Sequence, residues 1–381
     1  MGFHTFLGGD IGVVHGMGRL SRELLESSGF PVLSSAEHGG QLRKAADLFN
    51  IPLNDWLDLS TGINPNGYPV GHIPAEVWQR LPEENDGLEL AASRYYQSEH
   101  FVALPGSQWL IQSLPSFINA GASKLKVGVF EPSYFEHAKA WRDSGHQLIP
   151  LKHDLPEDEI ERLLIQLDVL VVVNPNNPTG RIFQKNTLLK WHAVLQQKGG
   201  YLVVDEAFMD ADSTNSLVPD AHQAGLVVLR SLGKFFGLAG VRLGFVFAEQ
   251  GLLTEVKNRL GPWSIAHPTR WAAKQALEDR GWQNTTRNTL KAESERLINF
   301  LEVAGLNASG ATPLFVWVES PVATQWHQSL AQQGILVRLF VASSVSGSAS
   351  LRFGLPADEQ GWRRLESALD YSSNEIMKTN R

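Results

Sequence analysis

The chain has 381 residues, 43% hydrophobic and 19% charged, which is long enough for two domains with their own cores and ordinary for a globular enzyme. A formal charge of −7, with no Lys/Arg block and no internal repeat, argues against a nucleic-acid surface, and the absence of cysteine excludes disulfides, iron–sulfur clusters and cysteine zinc sites. The 12 histidines show no paired ligand spacing, no apolar run is long enough to span a bilayer, and the amino terminus lacks a basic region followed by an apolar stretch; the sequence therefore predicts no metal, no membrane span and a cytoplasmic location.

In chain order, residues 1–36 are glycine-rich and poorly patterned, and are read as an extension. An arm over 37–64 follows, opening on Glu37-His38-Gly39-Gly40, continuing through an Arg/Lys-bearing helical pattern from about residue 40, and closing on Ser60-Thr61-Gly62-Ile63-Asn64-Pro65. Across 65–262, helical patterns alternate with β-rich runs at 127–130, 169–173, 201–204, 226–229 and 243–247. That alternation predicts an α/β large domain, its sheet mainly parallel and covered by helices on both faces. Across 263–381, a long helical pattern at about 269–304 leads into strand candidates at 314–318, 335–339 and 350–353, a smaller α+β domain. Trp271, Trp282 and Trp362 are read as packing residues.

Chemistry concentrates in Ser231-Leu-Gly-Lys234-Phe-Phe-Gly-Leu-Ala-Gly-Val-Arg242. A lysine among Leu232, Phe235 and Phe236 is poorly solvated, which favours the neutral amine that condenses with an aldehyde. The nearby hydroxyl and guanidinium suit a phosphate monoester. Together they describe a seat for pyridoxal 5′-phosphate. Upstream, the apolar run 169–173 ends in Asn174-Pro-Asn-Asn177-Pro-Thr-Gly180, and 201–204 runs into Asp205. Both lie at the carboxyl edge of the predicted sheet, where ligands of such sheets bind. A carboxylate there can pair with a pyridinium nitrogen; taken singly, Asp205 also reads as a helix cap and Asn177 as turn chemistry. Leu104-Pro-Gly106-Ser107-Gln108 precedes an apolar helix at 109–118, whose amino terminus offers backbone N–H groups and a dipole to a phosphate.

In order and spacing, these segments resemble the fold-type I pyridoxal-phosphate transferases, in the branch containing histidinol-phosphate aminotransferases, over about residues 38–370. The resemblance implies that Lys234 bonds the cofactor aldehyde, Asp205 pairs with the pyridine nitrogen, Asn177 hydrogen-bonds the phenolic oxygen and Tyr134, in Glu131-Pro-Ser-Tyr134, stacks on the ring. It implies phosphate contacts from Gly106, Ser107, Gln108, Ser231 and Arg242, an antiparallel strand at 243–247, and a homodimer whose sites are clefts shared by two large domains. Two positions depart from the branch: Phe208 stands where a tyrosine three residues after the aspartate is usual, and Leu81-Pro82 replaces Tyr-Pro, which puts a cross-subunit tyrosine on the phosphate in doubt.

The pair His38-Gly39-Gly40 and Ser60-Thr61-Gly62-Ile63-Asn64-Pro65 is similar to the entry sequence of the L-threonine-O-3-phosphate decarboxylases of cobalamin biosynthesis. That resemblance implies a small phosphorylated amino acid as substrate, held by His38, Gly39, Gly62, Ile63, Asn64, Asn177, Arg338 and Arg352, and loss of CO₂ to give (R)-1-amino-2-propanol O-2-phosphate. A histidinol-phosphate-type aminotransferase shares the cofactor motifs and both arginines, and is the alternative.

Overall fold

The computed structural model describes residues 39–118, 124–342 and 347–379. Its first elements are helix α1 (Leu42–Phe49), the short strand β1 (Leu57–Asp58), α2 (Ala75–Gln79) and α3 (Leu88–Tyr96). Next come β2 (Phe101–Leu104), α4 (Ser107–Ile118), β3 (Lys126–Glu131), α5 (Phe135–Asp143), β4 (Gln147–Lys152), α6 (Glu157–Leu164), β5 (Val169–Val173), α7 (Lys185–Gln196), β6 (Tyr201–Asp205), β7 (Leu226–Ser231) and β8 (Gly244–Phe247). The remainder comprises α8 (Gln250–Leu260), α9 (His267–Glu278), α10 (Arg280–Val303), β9 (Gly310–Thr312), β10 (Phe315–Glu319), α11 (Ala323–Gln332), β11 (Ile335–Leu336), β12 (Arg338–Phe340), β13 (Ser350–Gly354) and α12 (Glu359–Thr379).

Seven strands form one sheet in the order β2-β8-β7-β6-β5-β3-β4. The five from β7 to β4 run parallel; β8 pairs antiparallel with β7, and β2 pairs antiparallel with β8 and so runs in the direction of the five. Strands β5, β6 and β7 are almost wholly apolar because both sheet faces are covered. Val169, Val171, Val203 and Leu229 pack with Trp141 of α5 on one face; Leu170, Val172, Val204 and Val228 pack with Trp191 of α7 on the other. This is the α/β architecture expected, with helices on both faces.

A second, antiparallel sheet has the order β12-β13-β10-β9. Separately, β1 of the arm pairs parallel with β11, and Gly354 N donates to Leu59 O at 2.7 Å, so the arm is stitched to the carboxyl-terminal strands. The helical pattern expected across 269–304 is two helices. Asp279 ends α9 and turns its carboxylate to cap α10, accepting from Trp282 N at 2.9 Å, and that side chain–backbone bond competes with continuous helix. The strand expected at 335–339 also divides: its first half pairs with the arm, and after Val337 its second half joins β13.

His327 on α11 is buried, and its pKa is pulled down to about 4, first by desolvation and then by the positive charge of Arg338. A folded pKa below the unfolded value of 6.5 means that its contribution is complete above about pH 6.5 and is lost as pH falls through the folded value. The chain should therefore lose up to about 3 kcal/mol of stability on this account on acidification. Urea midpoints measured from pH 7 down to pH 4.5 check this: His327→Gln should flatten that acid limb, and an equally steep limb in the variant would contradict it.

Candidate active site

At the carboxyl ends of β5, β6 and β7 stand Asn174, Asp205 and Ser231. Asp205 is buried, and its two oxygens are both engaged: Oδ1 accepts from Ala207 N at 3.0 Å and Oδ2 lies 2.9 Å from His137 Nε2. His137 was not singled out from the sequence. It lies three residues after Tyr134 at the start of α5, one helical turn on, and the two rings are 6.2 Å apart at 81°. That spacing was the available signal. Tyr134 is braced in turn, its hydroxyl donating to Gln108 Oε1 at 2.9 Å while Gln108 Nε2 donates to Glu136 at 2.5 Å. The Gln108 side chain thus steadies the tyrosine rather than facing a phosphate. Burial raises the Tyr134 pKa, and the Asp205 and Glu136 charges raise it further, so the phenol stays neutral.

Gly106, Ser107, Ser231 and Arg242 converge. Gly106 has φ +82°, and a Cβ added there would lie 2.7 Å from Arg242 Nη2, so only glycine lets the guanidinium come this close to the start of α4. Arg242 is itself in the left-handed region at φ +55° and donates to Ala239 O at 3.2 Å. Ser231 Oγ accepts from Gly233 N at 3.2 Å, which leaves its proton to donate. Free N–H groups at a helix amino terminus, a hydroxyl and a guanidinium form an anion cradle.

Lys234 is half-buried, and its Nζ lies 5.5 Å from the Phe208 ring centre. Its pKa is lowered to about 8, by burial first and by Arg352 next, with Asp205 opposing and Arg242 adding a smaller downward push. Phe208 is buried edge-on against Phe315 at 5.1 Å, offering no hydroxyl. The lysine loop is fixed by the arm: Asn64 N donates to Lys234 O at 3.0 Å and Asn64 Nδ2 to Phe235 O at 2.9 Å, while Asn64 Oδ1 accepts from Asn66 N at 2.9 Å. Asn64 was expected to line the substrate side. Its amide is instead committed to bracing that loop.

Arg352 is buried on β13, and its two terminal nitrogens donate to Asn177 Oδ1 and to Ser60 O, while its Nε has no hydrogen-bond partner among the described residues. Arg338 stands directly opposite it on β12, so two guanidiniums share one face of the small sheet. Burial, then Arg338, lowers the Arg352 pKa to about 9, with Asp58 opposing; it remains a cation at neutral pH. Gly62 lies against the same group: a Cβ there would be 3.6 Å from Arg352 Cζ, 3.1 Å from Phe315 and 3.5 Å from Phe208. Ile63 is half-buried beside it, and Gly39 packs on Ser60 through the bond from Gly40 N to Ser60 Oγ at 2.8 Å. His38 lies outside the described residues, as does the 1–36 extension. Next to Tyr134 and His137, a cavity of about 260 Å³ opens toward Trp317 and Phe340 of the small sheet.

The family model described as aminotransferase class I and II matches residues 82–365. The chain belongs to that family. It is 50% identical over 333 residues to the threonine-phosphate decarboxylase of Pseudomonas aeruginosa, covering 87% of this chain and 97% of the relative. It is 37% identical over 340 residues to that of a Sinorhizobium species, covering 87% and 97%. Among solved structures, the histidinol-phosphate aminotransferase of Sinorhizobium meliloti in complex with pyridoxal-5′-phosphate superposes with a TM-score of 0.73 at 16% identity, covering 92% of this chain and 97% of that one, and so attests the fold.

The cofactor is pyridoxal 5′-phosphate. This chain's own residues fit it: the glycine-lined cradle at Gly106 and Arg242 matches a phosphate, the depressed Lys234 amine an aldehyde, and the buried Asp205 carboxylate a ring nitrogen. Because Arg352 pushes the Lys234 pKa down, Arg352→Met should move the pH midpoint for capture of pyridoxal phosphate by the apoenzyme upward from near 8. Growth of the visible absorption band after mixing, followed across pH, reads that midpoint. An unchanged or lower value would contradict the assigned electrostatics.

Proposed function

We propose that the chain decarboxylates L-threonine O-3-phosphate to (R)-1-amino-2-propanol O-2-phosphate, releasing CO₂ and taking up one proton at the α-carbon. The observation that carries this reading is the cross-strand pair Arg338 and Arg352, two guanidiniums on one face beside Asn177 and Lys234. Two guanidiniums directly opposite each other on neighbouring strands place two positive charges on one small face. A phosphate dianion is the ligand that best offsets both. The 50% identity to a threonine-phosphate decarboxylase supports the same substrate.

Bound pyridoxal phosphate supplies an electron sink for the bond broken at the substrate α-carbon. The protein's part is placement. Lys234 is the covalent partner of the aldehyde, and Asp205, oriented by His137, faces the ring nitrogen. Asn177 has its amide oxygen fixed by Arg352, so its amide nitrogen is turned to donate to the phenolic oxygen. Tyr134 stacks on the ring, while Gly106, Ser107, Ser231 and Arg242 hold the cofactor phosphate. Arg338, Arg352, Gly39 and His38 take the substrate phosphate, with Gly62 and Ile63 forming the wall beside it. Holding the phosphate there leaves the substrate carboxylate free to stand perpendicular to the ring, and Lys234 is the nearby amine able to return the proton. Phe208 in place of a tyrosine leaves the phenolic oxygen with one donor fewer.

The same reading divides the molecule into the arm at 37–64, a large part at 65–262 built on the seven-stranded sheet, and a small part at 263–381 with the linking helices. It places the enzyme in the cytoplasm, in the corrinoid side-chain branch of cobalamin biosynthesis, as a homodimer. Exposed Trp78, Leu81 and Trp263 supply apolar surface for a second copy to cover.

Purified holoenzyme given L-threonine O-3-phosphate should release CO₂ stoichiometrically with an amine product and without any added 2-oxo acid. Activity that instead requires 2-oxoglutarate and yields glutamate would replace this reading by the histidinol-phosphate-type aminotransferase.

A further inference from the structure

Side chains alternate across β6 and β7, so residues adjacent in sequence face opposite sides of the sheet. Val203 and Leu229 lie in the core on the α5 side, and Val204 and Val228 in the core on the other. By that alternation Asp205 and Ser231 share the first face, whereas Glu206 and Arg230, one residue away from each, share the second. There they meet. Arg230 Nε is 3.0 Å from Glu206 Oε2, its Nη1 donates to Asp210 Oδ1 at 2.9 Å and its Nη2 to Ser216 Oγ at 3.0 Å. Glu206 also accepts from Ser216 Oγ and Leu217 N, each at 2.7 Å, and its own N–H donates to Leu229 O at 2.9 Å, extending the ladder one residue past β6. Tyr95 OH donates to Asp210 Oδ1 at 3.2 Å, and Arg287 of α10 closes the group, donating to Asp210 O at 3.1 Å and Tyr95 OH at 3.2 Å.

All three charged groups are essentially inaccessible, at 0% for Glu206, 1% for Asp210 and 2% for Arg230. Desolvating such a cluster costs about as much as its mutual attraction returns, so net stability is a poor explanation for it; fixing one geometry is a better one. We propose that Glu206, Arg230 and Asp210 are positioning residues: they clamp the ends of β6 and β7 from behind, holding Asp205 and Ser231 at the separation that the cofactor ring nitrogen and phosphate require. Through Arg287, the clamp also ties α10 to the catalytic strands. The inference rests on the cofactor contacts proposed for Asp205 and Ser231.

The test uses Glu206→Gln, Arg230→Met and Arg230→Lys, each compared with wild type by pyridoxal phosphate titration and by the pH midpoint of the visible band, at a temperature well below unfolding. The clamp predicts cofactor binding weakened about tenfold or more in Glu206→Gln and Arg230→Met, a shifted midpoint in both, and partial recovery in Arg230→Lys. A lowered melting temperature with wild-type affinity and midpoint would mean that the cluster only supports the fold, and would overturn the proposal. If Arg230→Met does not fold, Glu206→Gln and Arg230→Lys decide by the same two readouts. Borohydride trapping with peptide mapping separates the two levels: label on a lysine other than Lys234 overturns the cofactor placement and the clamp with it, whereas label on Lys234 with unaltered variants overturns the clamp alone.

Discussion

The guanidinium of Arg352 is the group on which the site depends. From β13 it reaches Asn177 at the end of the large sheet and the carbonyl of Ser60 in the arm, so one buried cation joins three segments far apart in sequence. Among the described residues it does so without a carboxylate hydrogen-bonded to it, with Asp58 the opposing charge, beside a second guanidinium, and with its Nε–H unpartnered. Such a group is costly to bury unless something anionic completes it. Arg338 and Arg352 together give the carboxyl-terminal sheet a doubly cationic face, and a phosphate dianion is the proposed ligand for it.

The same cation acts on the lysine. Among its neighbours, Arg352 has the largest charge effect on Lys234, working in the same direction as burial, and Asp205 is the opposing one. In the proposed function, substrate recognition and readiness of the amine are therefore linked through one field, since an anion seated against Arg352 would also relax its downward push on Lys234. Geometry is linked as well: Asn64 belongs to the arm that carries Gly62 against Arg352, yet its amide and backbone hold the lysine loop. Moving the arm would disturb both ends of the reaction.

The buried parallel strands were legible in the sequence because they are continuous apolar runs, and β8 because its run follows the lysine segment. The strands β2 and β4 were not, for a physical reason: they are the two edges of the sheet, partly exposed, so their hydrophobic signal is diluted. The break at Asp279 and the change of sheet at Val337 are decided by one capping bond and by strand partners, neither of which periodicity reports. The site followed the same division. Lys234, Asp205 and Arg242 sit in local motifs that sequence can display, whereas His137 against Asp205 and Arg230 between Glu206 and Asp210 are tertiary pairings. Nothing local to Glu206 or to Arg230 says that they meet.

The central claim is that the two cross-strand arginines recognise a phosphate dianion. Its most direct measurement is the ratio of kcat/KM for L-threonine O-3-phosphate to that for L-threonine, in wild type and in Arg338→Gln and Arg352→Gln. A strong preference for the phosphate in wild type, falling about ten- to a hundredfold in each variant through the phosphorylated substrate, is the result this account predicts. Comparable values for the two substrates in wild type, or a preference that survives loss of either arginine, would contradict it.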